Sequence, residues 1–191
     1  RVLLDTLRVL GQEPDGFIDD GKIGQIIDGL PTVGAAVLDG DERVEVYHGI
    51  GYIEVRRRID RMLQERGVPV LTVVHPAAFV SPTAELGPGT VVYAGAMVNT
   101  GVRTGRGVIL NTGCVVDHDC QLGDYVHVSP NAALGGAATV GEGSWVGIGS
   151  NVIELVTIGS NAILGAGAVA VRDVPSDVVA VGCPARVVKQ R

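Results

Sequence analysis

From Phe79 to Val174 the chain repeats every six residues without a gap, from FVSPTA and ELGPGT through to VAVRDV, sixteen hexads in all. The second place is Val, Leu or Ile in fourteen of them, with Thr104 and Ala170 the exceptions. The third is Gly in eight, and the sixth is small or β-branched throughout. A register kept this long marks a repeat architecture rather than a sandwich or a helix-rich domain. The second place is expected to point inward and stack a Val/Leu/Ile ladder. The sixth fits a crowded interior corner, and Gly or Asn near the third permits the turn between short strands. Three hexads close one triangular coil, so residues eighteen apart lie above one another at about 4.8 Å. The run gives a little over five coils.

Residues 1 to about 75 have a different rhythm. The opening stretch reads as a helix with Leu3, Leu4, Leu7 and Leu10 on one face, stopped by Gly11. A chain that opens inside a helix, with no Met, is expected to be preceded by further residues. Phe17-Ile18 reads as a strand ending at Asp19 and Asp20, Val44 to His48 as a second, and Pro69 to Val74 as a third. A helix is expected from Ile53 to Arg66, with Ile59, Met62 and Leu63 inside, Arg56, Arg57, Arg58 and Arg61 mostly outside, and Gly67 as its stop. This alternation suggests a small parallel, Rossmann-like α/β sheet, with ligands at the carboxyl ends of its strands. The organisation expected is an α/β domain over 1–75, a parallel β-helix over 76–174 and a tail over 175–191.

A formal net charge of −6 argues against nucleic acid or an anionic membrane as the main partner. No apolar run approaches the roughly 18 residues of a membrane span, and nothing resembles a signal peptide. Cys114, Cys120 and Cys183 show no metal-type spacing and suit a reducing cytoplasm, and no metal site is expected.

Gly16 to Asp20 (GFIDD), Val74-His75-Pro76, the uninterrupted hexads, Val115 to Asp119 (VVDHD) and Gly182 to Arg186 (GCPAR) together resemble the hexapeptide-repeat sugar acyltransferases of the sialic-acid-O-acetyltransferase-like branch. That branch includes bacterial enzymes that N-acetylate nucleotide-linked 4-amino-4,6-dideoxy sugars or perosamine for surface glycans. The resemblance implies a left-handed β-helix, acetyl-CoA as co-substrate and a homotrimer with acetyl-CoA between neighbouring β-helices. It also implies a nucleotide-linked amino sugar held by the α/β half. Family members open with a strand and a Gly-x-Gly-Gly-His loop, which this sequence lacks.

Acyl transfer from a thioester to an amine needs a base, an oxyanion donor and a groove for the CoA arm. His118, one of four histidines, is the candidate base, flanked by Asp117 and Asp119. A carboxylate on its second ring nitrogen would fix the tautomer, and the resemblance selects Asp119 for that role, where the family often has Glu. Gly136 lies eighteen residues after His118, one layer away, where its N–H suits an oxyanion; the family uses the matching amide so. The resemblance further implies that His127 touches acetyl-CoA near the thioester, that Asn111 lines the same cleft, and that Ile148 and Ala166 follow the pantetheine arm. It assigns the nucleotide to Asp19 and Asp20. Gly49-Ile50-Gly51 precedes a helix whose N-terminal N–H groups favour phosphate, although Tyr52 stands where the family often has Asn. His48 and His75 are read as structural.

Other readings stay open. O-acetylation of sialic acid or a related sugar uses the same residues. A γ-type carbonic anhydrase shares the scaffold but needs three zinc histidines, two of them five apart, whereas His118 and His127 are nine apart. A non-catalytic trimeric scaffold explains the hexads but not the Asp-His-Asp corner.

Overall fold

Each hexad becomes a two-residue strand followed by a corner, and three corners close a coil. The computed structural model describes residues 1–39 and 44–191. The first face of the prism stacks Phe79–Val80, Met97–Val98, Val115–Val116, Ala133–Leu134, Asn151–Val152 and Val169–Ala170. The second stacks four strands from Arg103–Thr104 to Thr157–Ile158, with Glu85 bridged to Arg103 below. The third runs from Val73–Val74 up to Val178–Val181, where Arg186–Gln190 adds an antiparallel edge. Partners are eighteen residues apart, as in Val115↔Ala133 and His127↔Trp145. Near the end the spacing drops to sixteen, in Ile158↔Val174 and Leu164↔Ala180, so the last coil is two residues shorter. The fold is a left-handed parallel β-helix behind a small helix-and-sheet region, as the repeat and its resemblance predict.

The core is the expected ladder. Val92, Val98, Leu110, Val116, Val128, Leu134, Val140 and Leu164 at second places are sealed from solvent, as are Ala96, Cys114, Cys120, Ala132 and Ala162 at sixth places. Burial pushes the Cys114 thiol up to about 12 and Cys120 up to about 11, so neither is a nucleophile near neutral pH.

The glycines act differently from expectation. In fourteen of the sixteen hexads the left-handed residue of the corner is the fifth, including the non-glycines Asp119, Tyr125, Asn131, Ala137, Leu155 and Asn161; Thr83 and Asp173 are the exceptions. The third-place glycines serve close approach instead. At the corner after the second face, Gly87, Gly105, Gly123, Gly141 and Gly159 form a column, and a Cβ on Gly123 would lie 2.6 Å from the Glu142 nitrogen.

The N-terminal region holds α1 (Val2–Val9), β1 (Phe17–Ile18), β2 (Ile26–Ile27), β3 (Leu30–Val33), a 3₁₀ turn (Ala35–Leu38) and α2 (Ile53–Glu65). Gly11 and Gly67 close the two helices in the left-handed conformation. β1 pairs with β3 in parallel and β2 with β3 antiparallel, so this sheet is mixed. Four readings are corrected. Val44 to His48 contributes only a bridge, Val46 to Val70. Val73–Val74 pairs with Val91–Val92 and belongs to the third face of the prism; Val73 to Ala78 (VVHPAA) already fits the hexad pattern. Leu10 is exposed, and Thr6 is buried beside Leu4 and Leu7. Arg56 is fully buried, as is Asp60.

Candidate active site

The corner leading from the first face to the second carries His118. Val115 and Val116 pair below with Met97 and Val98 and above with Ala133 and Leu134, which fixes the corner between two layers. Asp117 accepts from Asn99 Nδ2 at 2.8 Å, one layer below, and from the His118 backbone N–H at 2.8 Å. These bonds, the Asn99 amide first, hold its carboxyl below the usual carboxylate range. Asp119 adopts φ +59°, a conformation short polar residues tolerate. That turn brings its Oδ2 to 2.9 Å from His118 Nδ1.

Nδ1 therefore carries the proton and donates it to Asp119, leaving the Nε2 lone pair free. The Asp119 bond, and then the charge of Asp117, raise the His118 imidazole above its ordinary value. Nε2 faces Gly136: a Cβ there would meet it at 2.5 Å. Among the described residues the Gly136 N–H has no hydrogen-bond partner. A neutral imidazole with a free lone pair and an unclaimed backbone donor thus share one open corner, the pair of groups that proton removal and oxyanion stabilisation require. The shorter Asp does reach the imidazole.

A second cluster lies on the third face and the corner after it. His127 is buried between Ile109 and Trp145 in the strand ladder. Its ring stacks on Trp145 with centroids 5.2 Å apart and planes 8° from parallel. Trp145 Nε1 donates to Ser129 Oγ at 2.7 Å, which fixes the indole. Asn111 Nδ2 donates to His127 Nε2 at 3.1 Å, so this imidazole is neutral with its proton on Nδ1. Burial, then the charge of Arg56, push it down to about 4, while the backbone of Gly51 pulls weakly the other way. His127 is thus a polar contact rather than a base. Ile148 and Ala166 are exposed one layer apart on this same corner, beyond the hexad of Asn111.

Gly49 to Gly51 leads into α2. A Cβ on Gly49 would meet Tyr93 Oη at 2.8 Å and Leu3 Cβ at 3.1 Å, whereas Gly51 has open space. Tyr52 caps α2 with no side-chain hydrogen bond, so the first N–H groups of the helix lack a local acceptor. Asp19 and Asp20 lie elsewhere: Asp19 accepts from the Gly21 N–H at 3.0 Å and Asp20 from the Ala35 N–H at 2.7 Å. His75 accepts from the Ala77 N–H at 2.9 Å.

A buried charged network behind this turn was not foreseen. Asp60 Oδ2 accepts from Arg106 Nε (2.6 Å), Tyr125 Oη (2.6 Å) and Gln64 Nε2 (2.7 Å), with His48 Nε2 3.6 Å from Oδ1. Arg56 donates to the Ile50 and Tyr125 carbonyls, each at 2.6 Å. The spacing 53, 56, 60, 63 is the rhythm of one helix face, a signal that residue type concealed. Among the described residues no three His, Cys, Asp or Glu side chains converge on a metal site, and no helix is long and apolar enough to cross a membrane.

No protein-family model matches the chain. Solved structures match over nearly its whole length. A histidine-substituted perosamine N-acetyltransferase from Caulobacter crescentus, in complex with CoA and GDP-perosamine, superposes with a TM-score of 0.93 at 36% identity, covering 99% of this chain and 91% of that one. The acetyltransferase domain of PglB from Neisseria gonorrhoeae gives 0.92 at 36% identity, over 98% of this chain and 93% of that one. A curated relative, the galactoside O-acetyltransferase of Escherichia coli, is 40% identical over 52 residues, 27% of this chain and 26% of that protein. The chain spans about a quarter of the length of the curated relatives it matches first.

Proposed function

Because the chain belongs to the hexapeptide-repeat sugar acetyltransferases, we propose that it moves the acetyl group of acetyl-CoA onto the amino group of a nucleotide-linked amino sugar, of the 4-amino-4,6-dideoxy or perosamine type, for surface glycan assembly. The observation that carries this reading is the His118–Asp119 pair, 2.9 Å apart, with Nε2 aimed over Gly136. The acceptor class is supported by the 36% identity to a protein held with GDP-perosamine.

Transfer is direct. His118 Nε2 takes the proton of the acceptor amine, and Asp119 holds the imidazolium that results. The amine nitrogen bonds to the thioester carbon, and the Gly136 N–H receives the charge on its oxygen. The C–S bond then breaks and the CoA thiolate leaves, taking up a proton. His127, Asn111, Ile148 and Ala166 line the path of acetyl-CoA and the cleft beside it. Residues 1–75 receive the nucleotide, with Gly49 and Gly51 at the phosphates and Asp19 and Asp20 toward the nucleoside. The prism, expected over 76–174 and opened one strand earlier by Val73–Val74, carries the chemistry, and 175–191 close its end with Val178–Val181 and the edge strand Arg186–Gln190.

The His118 corner and the His127 face lie on different sides of one prism. A site that needs both is completed by packing copies side by side, which supports a homotrimer. A cytoplasmic location follows from the acyl donor.

The test is CoA thiol release from acetyl-CoA with UDP-, dTDP- and GDP-linked 4-amino sugars. Release with one of them, lowered by about a hundredfold or more in His118→Ala with KM largely kept, supports the reading. A fully active His118→Ala sinks the base assignment. Acetyl-CoA binding without release to any amino sugar turns the reading to O-acetylation of a free sugar such as sialic acid.

A further inference from the structure

Arg56 is fully buried, yet among the described residues no carboxylate pairs with it. Nη1 donates to the carbonyls of Ile50 at 2.6 Å and Gly51 at 3.3 Å, and Nη2 to that of Tyr125 at 2.6 Å. The nearby Asp60 is engaged by Arg106, Tyr125 and Gln64 instead. A cation placed in the interior against neutral carbonyls alone is a costly way to dock a helix. Ile53 and Leu63, on the same face of α2, do so with apolar surface. Burial drives the guanidinium down to about 10, which still leaves it charged near neutral pH. The charge therefore sits permanently behind the Gly49–Gly51 turn and beside His127.

We propose that Arg56 is a positioning residue that ties the Gly49–Gly51 turn to the Tyr125 coil and fixes both against His127, so that one side chain sets the nucleotide end and the acyl-donor end of the site together. This rests on the function proposed above for those two ends. The fork geometry is essential, because Nη1 and Nη2 reach carbonyls on two different segments. A lysine ammonium keeps the charge but does not span both. The cation also adds to the uncapped N-terminus of α2, where an anionic diphosphate is favoured.

The test uses Arg56→Lys and Arg56→Gln in the full chain. Arg56→Lys is expected to stay folded and to raise KM for the nucleotide sugar by about tenfold or more, the loss of one charge-assisted hydrogen bond. Wild-type KM for both substrates in Arg56→Lys overturns the proposal. A second readout needs no substrate. Trp145 is the sole tryptophan, and because an imidazolium stacked on an indole quenches its emission, protonation of His127 is expected to dim it. Among the described residues, the groups around that ring are Asn111 and Trp145, both neutral, the Gly51 backbone and Arg56, the one charge. Arg56→Gln is expected to move the quenching midpoint upward, while Arg56→Lys leaves it low. An unmoved midpoint in folded Arg56→Gln also overturns the proposal, and if Arg56→Gln does not fold, the KM of Arg56→Lys decides. No CoA release by the wild-type chain would instead strike the acceptor reading, and the fluorescence would still report whether Arg56 acts on His127.

Discussion

Gly136→Ala separates the geometry of the catalytic corner from its stability. The added Cβ would lie 2.5 Å from His118 Nε2, 2.7 Å from Cε1 and 3.2 Å from Cδ2. Ordinary non-bonded contact is about 3.5 Å, so the ring must retreat by about 1 Å. The His118 side chain is 55% exposed and has room to swing into water. Gly136 is also outside the left-handed region, so Ala strains no backbone there. The melting midpoint should thus change by no more than about 2–4 °C. The same retreat should break the 2.9 Å bond to Asp119 and, in the proposed mechanism, lift the proton acceptor off the amine. A misplacement of about 1 Å costs about a hundredfold in rate, close to 2.7 kcal/mol in barrier. The assay is kcat from thiol release at saturating substrates, beside a thermal melt and acetyl-CoA titration calorimetry. Wild-type kcat in Gly136→Ala would refute the reasoning, since the base cannot keep its place with a methyl group there. So would activity lost only in step with the fold.

Asp119→Asn should shift the pH profile. In the proposed mechanism the working imidazole is neutral, so the rate should climb as pH rises through a His118 pKa that Asp119 holds above the ordinary value. Removing that bond should move the rising limb to lower pH and drop the plateau by about tenfold or more; an unmoved limb would free Asp119 of its role. Gly123→Ala drives a Cβ against Glu142 backbone atoms at 2.6 and 3.0 Å, which cannot step aside. Urea unfolding should show a loss of about 3 kcal/mol or more, whereas Gly51→Ala, with nothing within 4 Å, should change stability by less than about 0.5 kcal/mol. His127 is depressed from 6.5 to about 4, so the folded state binds its proton more weakly than the unfolded state. Its contribution is full above pH 6.5 and is lost as pH falls toward 4, on the order of 3 kcal/mol. Urea unfolding at pH 7 and pH 4.5, in wild type and in His127→Phe, checks it: the variant should lose less on acidification.

The hexads made the prism legible because each place in the repeat meets the same environment in every coil. Val116, Leu134 and Val152 say the same thing three times on one face. Ninety-six residues of agreement outweigh local exceptions such as Thr104. The spacing of eighteen likewise places Gly136 over His118, where the structure has it. What the repeat hid was cause. Gly at the third place was read as a turn former, but the turn is made at the fifth place, where even Leu155 and Tyr125 adopt positive φ. Hydrogen bonds between stacked corners enforce that conformation, as in Tyr125 N–H to Arg106 O at 2.7 Å, and tertiary pairing overrides residue preference. The N-terminal region has no repeat to average over, so single residues mislead: Arg56 looks like a solvated charge until the carbonyls around it are seen.

The two imidazoles show how one scaffold makes opposite use of a side chain. His118 sits at a corner, half exposed, with two carboxylates beside it that favour the protonated form. His127 sits in a strand, buried beneath Trp145 and near a cation, which together favour the neutral form. The difference follows from place in the hexad. A fourth-place residue opens onto the corner and takes its partners from the turn itself, as His118 takes Asp117 and Asp119. A first-place residue points outward from its face, as exposed Met97 and Phe79 show on the first face, and is buried only where something packs on that face, which for His127 means Trp145, Asn111 and the turn tied down by Arg56. The pair is therefore tuned in opposite directions: the corner raises the proton affinity of its imidazole, as the proposed base requires, while the face holds its imidazole neutral, as the proposed hydrogen-bonding contact requires.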